Sequence, residues 1–499
     1  MSYSTRDITR QVILTMISGL AIIGGVVILN GMVARTRGIE ALGEYLLVRS
    51  IAFAIIPVAL FGIAVAIPRY MGISRADIKR QKQIFAAGVT LFLRYGLAVI
   101  LVIFVFLGIN PTLIGNRASF TETVLPLVIL CVGLSLHQIT YSYFRGKLTM
   151  AIANILHLIN VAAVPIALVW LIPVLSVGKI NLWHGLTAGF VVIVVLIKPA
   201  IGGLRATEGE ETGRQLRKEL SSYGFRRIGA NLGMLALLSL GPILMARMAT
   251  YEELAFFSLG IQVNRMFYPL FGPVGIVLLP VFAYYVSDGR SQKLGKSLRA
   301  LFMAGTAIGI YATIHLWYFA EPLLKLWLGS APEAGIFIFR LFILSTTAYL
   351  WFELARNPID AYSKVGYNSR NILISVAILI GAVFLGISVL HYPAGVIVTC
   401  SYVLAFLVLG GLSVWTCFRL YQIQSIAARF ILEIAILNIL VLFCVWMITA
   451  PFDKSQLTLF MLAGIEIFGL GVYILGLFFL KQEWLMFLLK QFRRTEVSA

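Results

Sequence analysis

Four arginines lie inside long apolar runs of this sequence: Arg49, Arg94, Arg265 and Arg340. A charged side chain within a bilayer is costly, so each is a candidate functional residue. The guanidinium group is planar and always cationic, and it binds phosphate-type anions through two parallel hydrogen bonds. The sequence has no Gly-Lys-Ser/Thr phosphate loop and no evident nucleophile–base arrangement. The pattern therefore predicts anion binding, without catalytic residues or ATP hydrolysis.

These arginines differ in their predicted depth in the membrane. At the helical rise per residue, Arg265 lies roughly 20 Å from the outer end of its predicted helix, and Arg94 roughly 15 Å from the inner end. The hydrocarbon core is only about 30 Å thick, so neither reaches the surface easily. Arg49 lies roughly 9 Å from the outer end. Snorkelling towards the surface is an alternative for Arg49 and the favoured interpretation for the shallower Arg340.

The faces that carry these arginines also differ. The face of Arg265 is polar, small or proline-bearing, which is typical of a water-filled cavity. The face of Arg49 is mixed, because Phe53 follows one turn later. The residues that share the Arg265 face are Gln262, Pro269 and Gly272. The candidate substrate-binding residues are Arg49, Arg265, Arg94 and Gln262.

Composition defines the class of protein. The 499-residue chain is 60% hydrophobic and 12% charged, with a mean hydropathy of +0.94. Soluble proteins carry about 25% charged residues, so the sequence predicts an all-α polytopic membrane protein. The net charge of +19 fits basic cytoplasmic loops, and no nucleic-acid-binding module is recognisable. The four cysteines form no CxxC pair. We therefore expect no disulfide, metal or cofactor and no nucleic-acid partner.

Hydropathy predicts about fourteen membrane-spanning helices of about 20 residues each. The first apolar run is too long for a signal peptide and is interpreted as a retained span. The predicted spans are 9–33, 44–67, 84–108, 121–144, 151–172, 180–201, 219–246, 253–281, 295–320, 336–354, 370–391, 393–415, 427–450 and 456–480.

Basic residues predict the orientation. With the N-terminus in the cytoplasm, the cytoplasmic loops and tails hold about 26 Lys and Arg residues and the outer loops about 7. An even number of spans places both termini in the cytoplasm. Most tryptophans lie near predicted span ends, where aromatic belts form.

The two halves of the chain resemble each other at a constant offset of 212 residues. In this register Arg265 aligns with Phe53, about one helical turn from Arg49. Paired six-helix bundles are common in secondary transporters, in which the substrate site lies between the halves. The aligned identities are Ala34-Arg35 with Ala246-Arg247, Glu40 with Glu252, Leu42 with Leu254, Pro57 with Pro269 and Pro68 with Pro280. The predicted parts are an N-terminal lobe (1–201), a cytoplasmic linker (202–218), a C-terminal lobe (219–415), two additional helices (416–480) and a cytoplasmic tail (481–499).

Three stretches resemble a known family. They are NGMVARTRGIEALGEYLLVRSIAFAIIPVALFGIAVAIPRYMG (30–72), SYGFRRIGANLGMLALLSLGPILMARMATYEELAFFSLG (222–260) and NPIDAYSKVGYNSRN (357–371). Their order and spacing are similar to those of bacterial polysaccharide-unit flippases in the multidrug/oligosaccharidyl-lipid/polysaccharide (MOP) exporter superfamily. The resemblance implies two six-helix lobes in a V shape, alternating access, and cavity-lining arginines on the spans that carry Arg49 and Arg265.

The resemblance implies that the protein is not an enzyme. It implies a flippase for an undecaprenyl-diphosphate-linked glycan in the bacterial inner (cytoplasmic) membrane, acting in exopolysaccharide or O-antigen synthesis. Its partners would be membrane lipid, polysaccharide polymerase and assembly proteins. A cation-coupled multidrug exporter of the same superfamily and a non-transport scaffold remain alternatives. Drugs that are cations require buried carboxylates, whereas the buried charge here is mainly positive.

Several other polar residues within spans have structural interpretations. His137 is expected to make a helix–helix hydrogen bond, and Glu433 is expected to pair with Arg429 one turn earlier. Glu466 and Glu353 are expected to form ion pairs, with ion coupling as the alternative.

Overall fold

A computed structural model describes the backbone of residues 5–74, 77–206, 210–267, 292–362, 366–389, 392–424, 426–451, 457–480 and 484–485. Side chains are described in the same ranges except for 5–12, 196–206, 210–212, 223–232 and 292–293. The described chain is helical without strands, which confirms the predicted all-α class. It divides into two compact units, unit 1 (Met1–Ser258) and unit 2 (Leu259–Ala499).

Unit 1 is a bundle of long apolar helices. Such helices satisfy every backbone polar group within the segment, as a bilayer requires. Its helices are α1 (Thr5–Arg37), α2 (Ile39–Ala59), α3 (Ile63–Ile73), α4 (Ile78–Leu91), α5 (Leu97–Ile109), α6 (Leu125–Gly146), α7 (Met150–Leu158), α8 (Val164–Leu171), α9 (Val177–Ala206) and α10 (Glu210–Met248).

The break between α2 and α3 corrects the prediction of one uninterrupted helix over 44–67. Phe61 and Gly62 have φ angles of 44° and 71°, a left-handed conformation that separates the end of α2 from the start of α3. Glycine adopts this conformation without strain. The chain therefore continues as two helices.

Three π-helical turns interrupt the bundle without ending its helices. Phe92–Gly96 joins α4 to α5, Phe120–Val124 leads into α6, and Ile159–Ala163 joins α7 to α8. Such turns rotate the following side chains and are frequent at functional sites. Arg94 and Asn160 lie in two of them.

Glycine contacts bring α6 and α9 of unit 1 close together. A Cβ atom on Gly133 would overlap the backbone of Gly185, and one on Gly185 would overlap Ile129 and Leu130. Small residues let helix backbones approach closely in membranes. This approach brings the polar side chains of α6 and α9 to one level.

Helix α10 packs against α2. Ser239 on α10 donates a hydrogen bond to the backbone carbonyl of Ser50 at 3.1 Å. At the end of this contact, Gly43 lies against the carbonyl of Tyr251, where a Cβ would overlap it. Tyr251 begins α11 (Tyr251–Met266), which starts in unit 1 and ends in unit 2.

Unit 2 contains a second helical bundle. Its helix α15 (Thr346–Tyr362) packs closely on α17 (Ala394–Tyr421), since Gly410 lies against the carbonyl of Ala348. The last two described helices, α18 (Ala428–Thr449) and α19 (Leu459–Phe479), share an apolar core with α12 (Gln292–Tyr318). The helices of unit 2 after α11 are α12 (Gln292–Tyr318), α13 (Ala320–Leu328), α14 (Glu333–Ile343), α15 (Thr346–Tyr362), α16 (Tyr367–Val389), α17 (Ala394–Tyr421), α18 (Ala428–Thr449) and α19 (Leu459–Phe479).

Twelve segments of the described chain are long and apolar enough to cross a membrane. They correspond to twelve of the predicted spans. For the predicted span 219–246, the described apolar part is the shorter Gly233–Met248. The predicted span 253–281 begins in α11, but 268–281, with Pro269 and Gly272, lies outside the described residues. The count of fourteen and the two-lobe layout remain predictions.

Candidate functional site

Arg49 lies in the middle of α2 and is only 9% exposed. Its Nη1 donates to Tyr45 Oη, one turn earlier, at 2.5 Å. The second partner is Nδ1 of His184 on α9, at 3.2 Å. Within the described part of the chain, no carboxylate pairs with Arg49. A permanent cation is therefore held inside unit 1 by an imidazole and a phenol.

His184 connects this cation to the π-helical turn of Ile159–Ala163. The imidazole is fully buried, and its Nε2 lies 2.6 Å from the backbone carbonyl oxygen of Asn160. The side-chain Nδ2 of Asn160 lies 2.8 Å from Nδ1 of His137 on α6. Asn160 thus bridges two histidines, one through its backbone and one through its side chain.

His137 and His157 form an imidazole pair. Nε2 of His137 lies 3.0 Å from Nδ1 of His157 on α7, and the rings are nearly parallel at 7°. The ring of Tyr141 stacks on His157 at 4.9 Å between centroids, and the guanidinium of Arg145 lies over the Tyr141 ring, 5.5 Å from its centroid. The predicted helix–helix hydrogen bond of His137 is confirmed.

Polar atoms around this network are buried without a protein partner among the described residues. They belong to Asn160 (Oδ1), Asn181 (Oδ1 and Nδ2) and Ser135 (Oγ). Asn181 lies one turn before His184 on α9, and Ser135 lies close to His137 on α6. A buried polar group without a partner is costly, and these groups lie on the same helices and π-helical turn as His137, His184 and Asn160. We call Arg49, His184, Asn160, His137 and His157 the polar chain.

A second cluster of unit 1 lies at the end of α2 that is predicted to be extracellular. Arg117 forms an ion pair with Glu40 and lies over the ring of Tyr251, 5.2 Å from its centroid. Asn116 donates its side-chain amide to the carbonyl of Arg247 at 2.9 Å. The hydrogen bond to Glu40 raises the pKa of Arg117 above its ordinary value. This cluster joins the 110–119 loop to the α10–α11 turn.

Arg265 has different surroundings. It is exposed near the end of α11 and interacts electrostatically with Tyr349 and Glu353 of α15. Glu353 is buried, is hydrogen-bonded to Tyr349 and lies 3.9 Å from Arg356. In unit 2 a buried carboxylate therefore accompanies the candidate arginine, in contrast to Arg49.

The remaining candidates are less enclosed. Arg94 is exposed within the π-helical turn Phe92–Gly96, and Gln262 is half-buried one turn before Arg265. Arg340 donates its Nε to the carbonyl of Trp317 at 3.2 Å and lies over the indole at 5.1 Å. An aromatic partner near a span end agrees with the favoured interpretation of Arg340 as an interfacial residue. None of these three residues belongs to the polar chain.

The structure also locates the acidic residues. Arg429 bonds Glu433 at 2.7 Å, one turn apart, which confirms that predicted pair. Glu466 on α19 bonds two residues of α12, His315 at 3.1 Å and Tyr311 at 3.2 Å. Glu466 therefore links helices, as one of the two interpretations expected.

Sequence reasoning missed His184, Asn160 and His157 as members of a site. The rule that singled out the arginines, namely that ionisable residues within spans are costly and functional, applies equally to His184 and His157. The contact between His184 and Arg49 could not be predicted from the sequence, because the two residues are 135 positions apart in the chain.

Solved structures of membrane transporters resemble the chain, although their sequences are only distantly similar. No protein-family model and no curated protein matches the chain. The lipid II flippase MurJ, in an inward closed conformation, is 14% identical with a TM-score of 0.61 and covers 96% of this chain and 99% of its own. An inward-facing multidrug resistance transporter of the MATE family, from the MOP superfamily, is 12% identical with a TM-score of 0.64 and covers 82% and 98%. A MATE protein in complex with MaL6 is 14% identical with a TM-score of 0.53.

These identities are too low to show more than the fold. The chain has the fold of membrane transporters of the MOP superfamily. Together with the twelve long apolar helices of the described residues, this indicates a multi-pass membrane protein whose structural relatives are transporters and flippases.

Proposed function

We propose that this protein is a flippase that moves a lipid-diphosphate-linked oligosaccharide from the inner to the outer leaflet of the bacterial cytoplasmic membrane. The cargo would be the repeat unit of a polysaccharide carried on undecaprenyl diphosphate. Alternating access of two lobes would expose the substrate site first to one side and then to the other. Both termini would lie in the cytoplasm.

The observation that carries the proposal is that Arg49 is buried with uncharged hydrogen-bond partners. A buried guanidinium with uncharged partners retains its full positive charge, whereas a nearby carboxylate would neutralise it. Such a charge attracts a multiply charged anion strongly in a low-dielectric interior. A diphosphate offers the several acceptor oxygens that a guanidinium binds bidentately. Binding at Arg49 would require the polar chain to open towards the substrate.

The extent of the structural likeness also supports a flippase. The alignments with MurJ and with the MATE transporter cover 96% and 82% of the 499 residues. The difference, about 70 residues, is close to the length of the segment 416–480 that holds the two additional helices. This agreement in length favours the flippase branch of the fold for the proposal.

A cation-coupled multidrug exporter is the second candidate. The observation that favours it is Glu353, a buried carboxylate of unit 2 beside Arg265 and Tyr349. A buried carboxylate is the group that a coupling cation or a cationic drug requires. Arg356 and Arg265 lie close enough to Glu353 to offset its negative charge, which makes this interpretation weaker than the flippase.

A binding experiment separates the two candidates. The purified full-length protein in nanodiscs is titrated with undecaprenyl diphosphate, undecaprenyl monophosphate and the cationic dye ethidium. The flippase predicts preference for the diphosphate and a loss of roughly tenfold or more in its affinity in Arg49→Gln. Arg340→Gln, in which an interfacial arginine is replaced, is the matched control and keeps wild-type affinity. Binding of ethidium that depends on Glu353, with no selectivity for the diphosphate, would favour the exporter.

A further inference from the structure

The polar chain has a definite direction of hydrogen bonding. A guanidinium group can only donate, so Nδ1 of His184 accepts from Arg49. A neutral imidazole carries its proton on one nitrogen, so Nε2 of His184 is protonated and donates to the carbonyl of Asn160. His184 is therefore held neutral, in a single tautomer, by the cation beside it.

The same argument determines the direction of the remaining hydrogen bonds in the polar chain. With its amide nitrogen towards His137, Asn160 donates to Nδ1 of that ring. Nε2 of His137 then carries the proton and donates to Nδ1 of His157. Both histidines of the pair are neutral in this arrangement, and a proton already lies between the two rings along a 3.0 Å hydrogen bond.

The groups that face the pair come from several helices. On α6 they are Tyr141 and Arg145; across the Asn160 bridge they are His184 of α9 and Arg49 of α2. Helix α1 contributes Thr15, which accepts a hydrogen bond from Asn154 of α7 and does not titrate. The charged groups on both sides, Arg49 and Arg145, are thus cations.

This environment sets a condition for protonation. An additional proton on the pair would place a third positive charge between two arginines in a medium of low dielectric, which is unfavourable. A multiply charged anion near Arg49 reverses the local balance of charge and favours that proton. Protonation of the pair and anion binding near Arg49 therefore support each other.

The structure also provides a partner for the protonated form. A proton added to the pair leaves His137 with an N–H at Nδ1, which can no longer accept from the Asn160 amide. The Oδ1 atom of Asn160 is buried and lacks a partner among the described residues. Rotation of this amide by half a turn directs Oδ1 at His137 and turns the donor contact into an acceptor contact. The bridge therefore accommodates both protonation states.

We propose that His137 and His157 form a shared-proton site, linked through Asn160 and His184 to Arg49, which takes up one proton when a multiply charged anion binds at Arg49. The linkage to an anion rests on the proposed function, whereas the shared proton does not. The site identifies the proton as the ion whose binding is coupled to that of the substrate. Tyr141 and Arg145 lead from His157 towards the end of α6 that is predicted to be cytoplasmic, and they mark the side from which the proton enters.

The shared proton is tested without any anion. The full-length protein in nanodiscs is labelled with ¹⁵N-histidine, and the ring nitrogens are followed by solid-state NMR from about pH 8 to about pH 4. His137 and His184 are expected to carry their proton on Nε2 at neutral pH. His137 and His157 are expected to change together, with uptake of one proton by the pair, and His157→Gln is expected to alter the titration of His137. His315→Gln, a change at an equally buried histidine of unit 2, leaves these signals unchanged.

Two results of this measurement would overturn the shared site. One is independent titration of the two rings with one proton each. The other is a titration of His137 that is identical in wild type and His157→Gln.

The linkage is tested by proton uptake. Inorganic diphosphate, and separately undecaprenyl diphosphate in micelles, is added to the weakly buffered protein with a pH indicator. Wild type is expected to take up about one proton per bound diphosphate and to bind it on the order of tenfold more tightly when the pair is protonated. His137→Gln/His157→Gln is expected to bind without this uptake, and His315→Gln to behave like wild type. Protonation of the probe itself is common to all variants and cancels.

Failure of the linkage and failure of the proposed function give different results. Diphosphate binding without proton uptake in wild type would overturn the linkage and leave the proposed function intact. A shared proton in the NMR titration without diphosphate binding would overturn the proposed function and the linkage, and would leave the proton site standing.

Discussion

Arg49 and Arg265 do not occupy equivalent positions in the two halves of the chain. At the offset of 212 residues, Arg49 corresponds to Ile261 and both are buried, at 9% and 6% exposure. Arg265 corresponds to Phe53, which is 41% exposed, and Arg265 is itself exposed. The two halves are buried alike at these two positions, and each arginine occupies a position at which the other half has an apolar residue. Arg49 is a charge inside a bundle, and Arg265 is a charge on the surface of a helix.

This difference predicts unequal consequences of substitution. In Arg49→Gln the amide can still donate to Nδ1 of His184, so the free energy of unfolding should change by less than about 1.5 kcal/mol, whereas the charge is lost. Arg265→Gln should change stability still less, because an exposed ion interaction contributes about 1 kcal/mol or less. Thermal unfolding in detergent checks both. A large loss of stability in Arg265→Gln would contradict the assignment of Arg265 to an exposed position.

The contact between α6 and α9 should be essential to the polar chain. Gly185→Ala adds a Cβ that overlaps the backbone of Ile129 and Leu130, so the helices must separate and His184 must leave Asn160. We expect a loss of about 2 kcal/mol or more in stability, together with loss of transport. Gly189→Ala on the same helix is the control, because its nearest neighbour would lie 3.8 Å away and alanine favours the helix. Equal stability of the two variants would contradict the close packing.

The cluster around Arg117 should report on alternating access. Asn116 belongs to the predicted first lobe and Arg247 to the second, and the two are hydrogen-bonded at 2.9 Å. In Asn116→Cys/Arg247→Cys, oxidation should join the two segments and stop transport, and reduction should restore it. Each single cysteine variant, oxidised in the same way, is the control. Transport that continues in the cross-linked protein would show that these segments do not separate during the cycle.

The two C-terminal helices should depend on Glu466. Glu466→Ala leaves the buried His315 and the half-buried Tyr311 of α12 without their partner, at a cost of about 1–3 kcal/mol for the buried group. Glu433→Ala removes a carboxylate from the neighbouring helix α18, where its partner Arg429 is exposed, and should cost less than about 1 kcal/mol. Limited proteolysis of the α18–α19 segment and thermal unfolding compare the two. Equal effects would argue that Glu466 does not hold α19 on α12.

The sequence was sufficient for the class of the protein and for most helices. Apolar length alone located Tyr367–Val389 and Ala428–Thr449 to within about three residues, because a bilayer demands a continuous helix. The break at Phe61 and Gly62 was not predictable, since a left-handed conformation at phenylalanine depends on tertiary packing. The local pair of Glu433 and Arg429 was predictable from helical spacing.

The candidate site was predictable only in part. The cost of burying a charge identified Arg49, but its partners lie on other helices far away in sequence. His184, Asn160 and His137 reach one level of the bundle because Gly133 and Gly185 allow α6 and α9 to touch. A close approach of this kind is a property of the folded bundle, and no local pattern encodes which side chains it brings together.

The central claim, that Arg49 serves the movement of a lipid-linked diphosphate across the membrane, is tested most directly by reconstituted flipping. Vesicles that contain the full-length protein and a fluorescent undecaprenyl-diphosphate-linked oligosaccharide are exposed to a membrane-impermeant quencher, and the quenched fraction reports exchange between leaflets. Wild type should exchange the lipid between leaflets, Arg340→Gln should match it, and Arg49→Gln should reduce the rate roughly tenfold or more while remaining folded. Exchange at the wild-type rate in folded Arg49→Gln, or none above protein-free vesicles in wild type, would contradict the account.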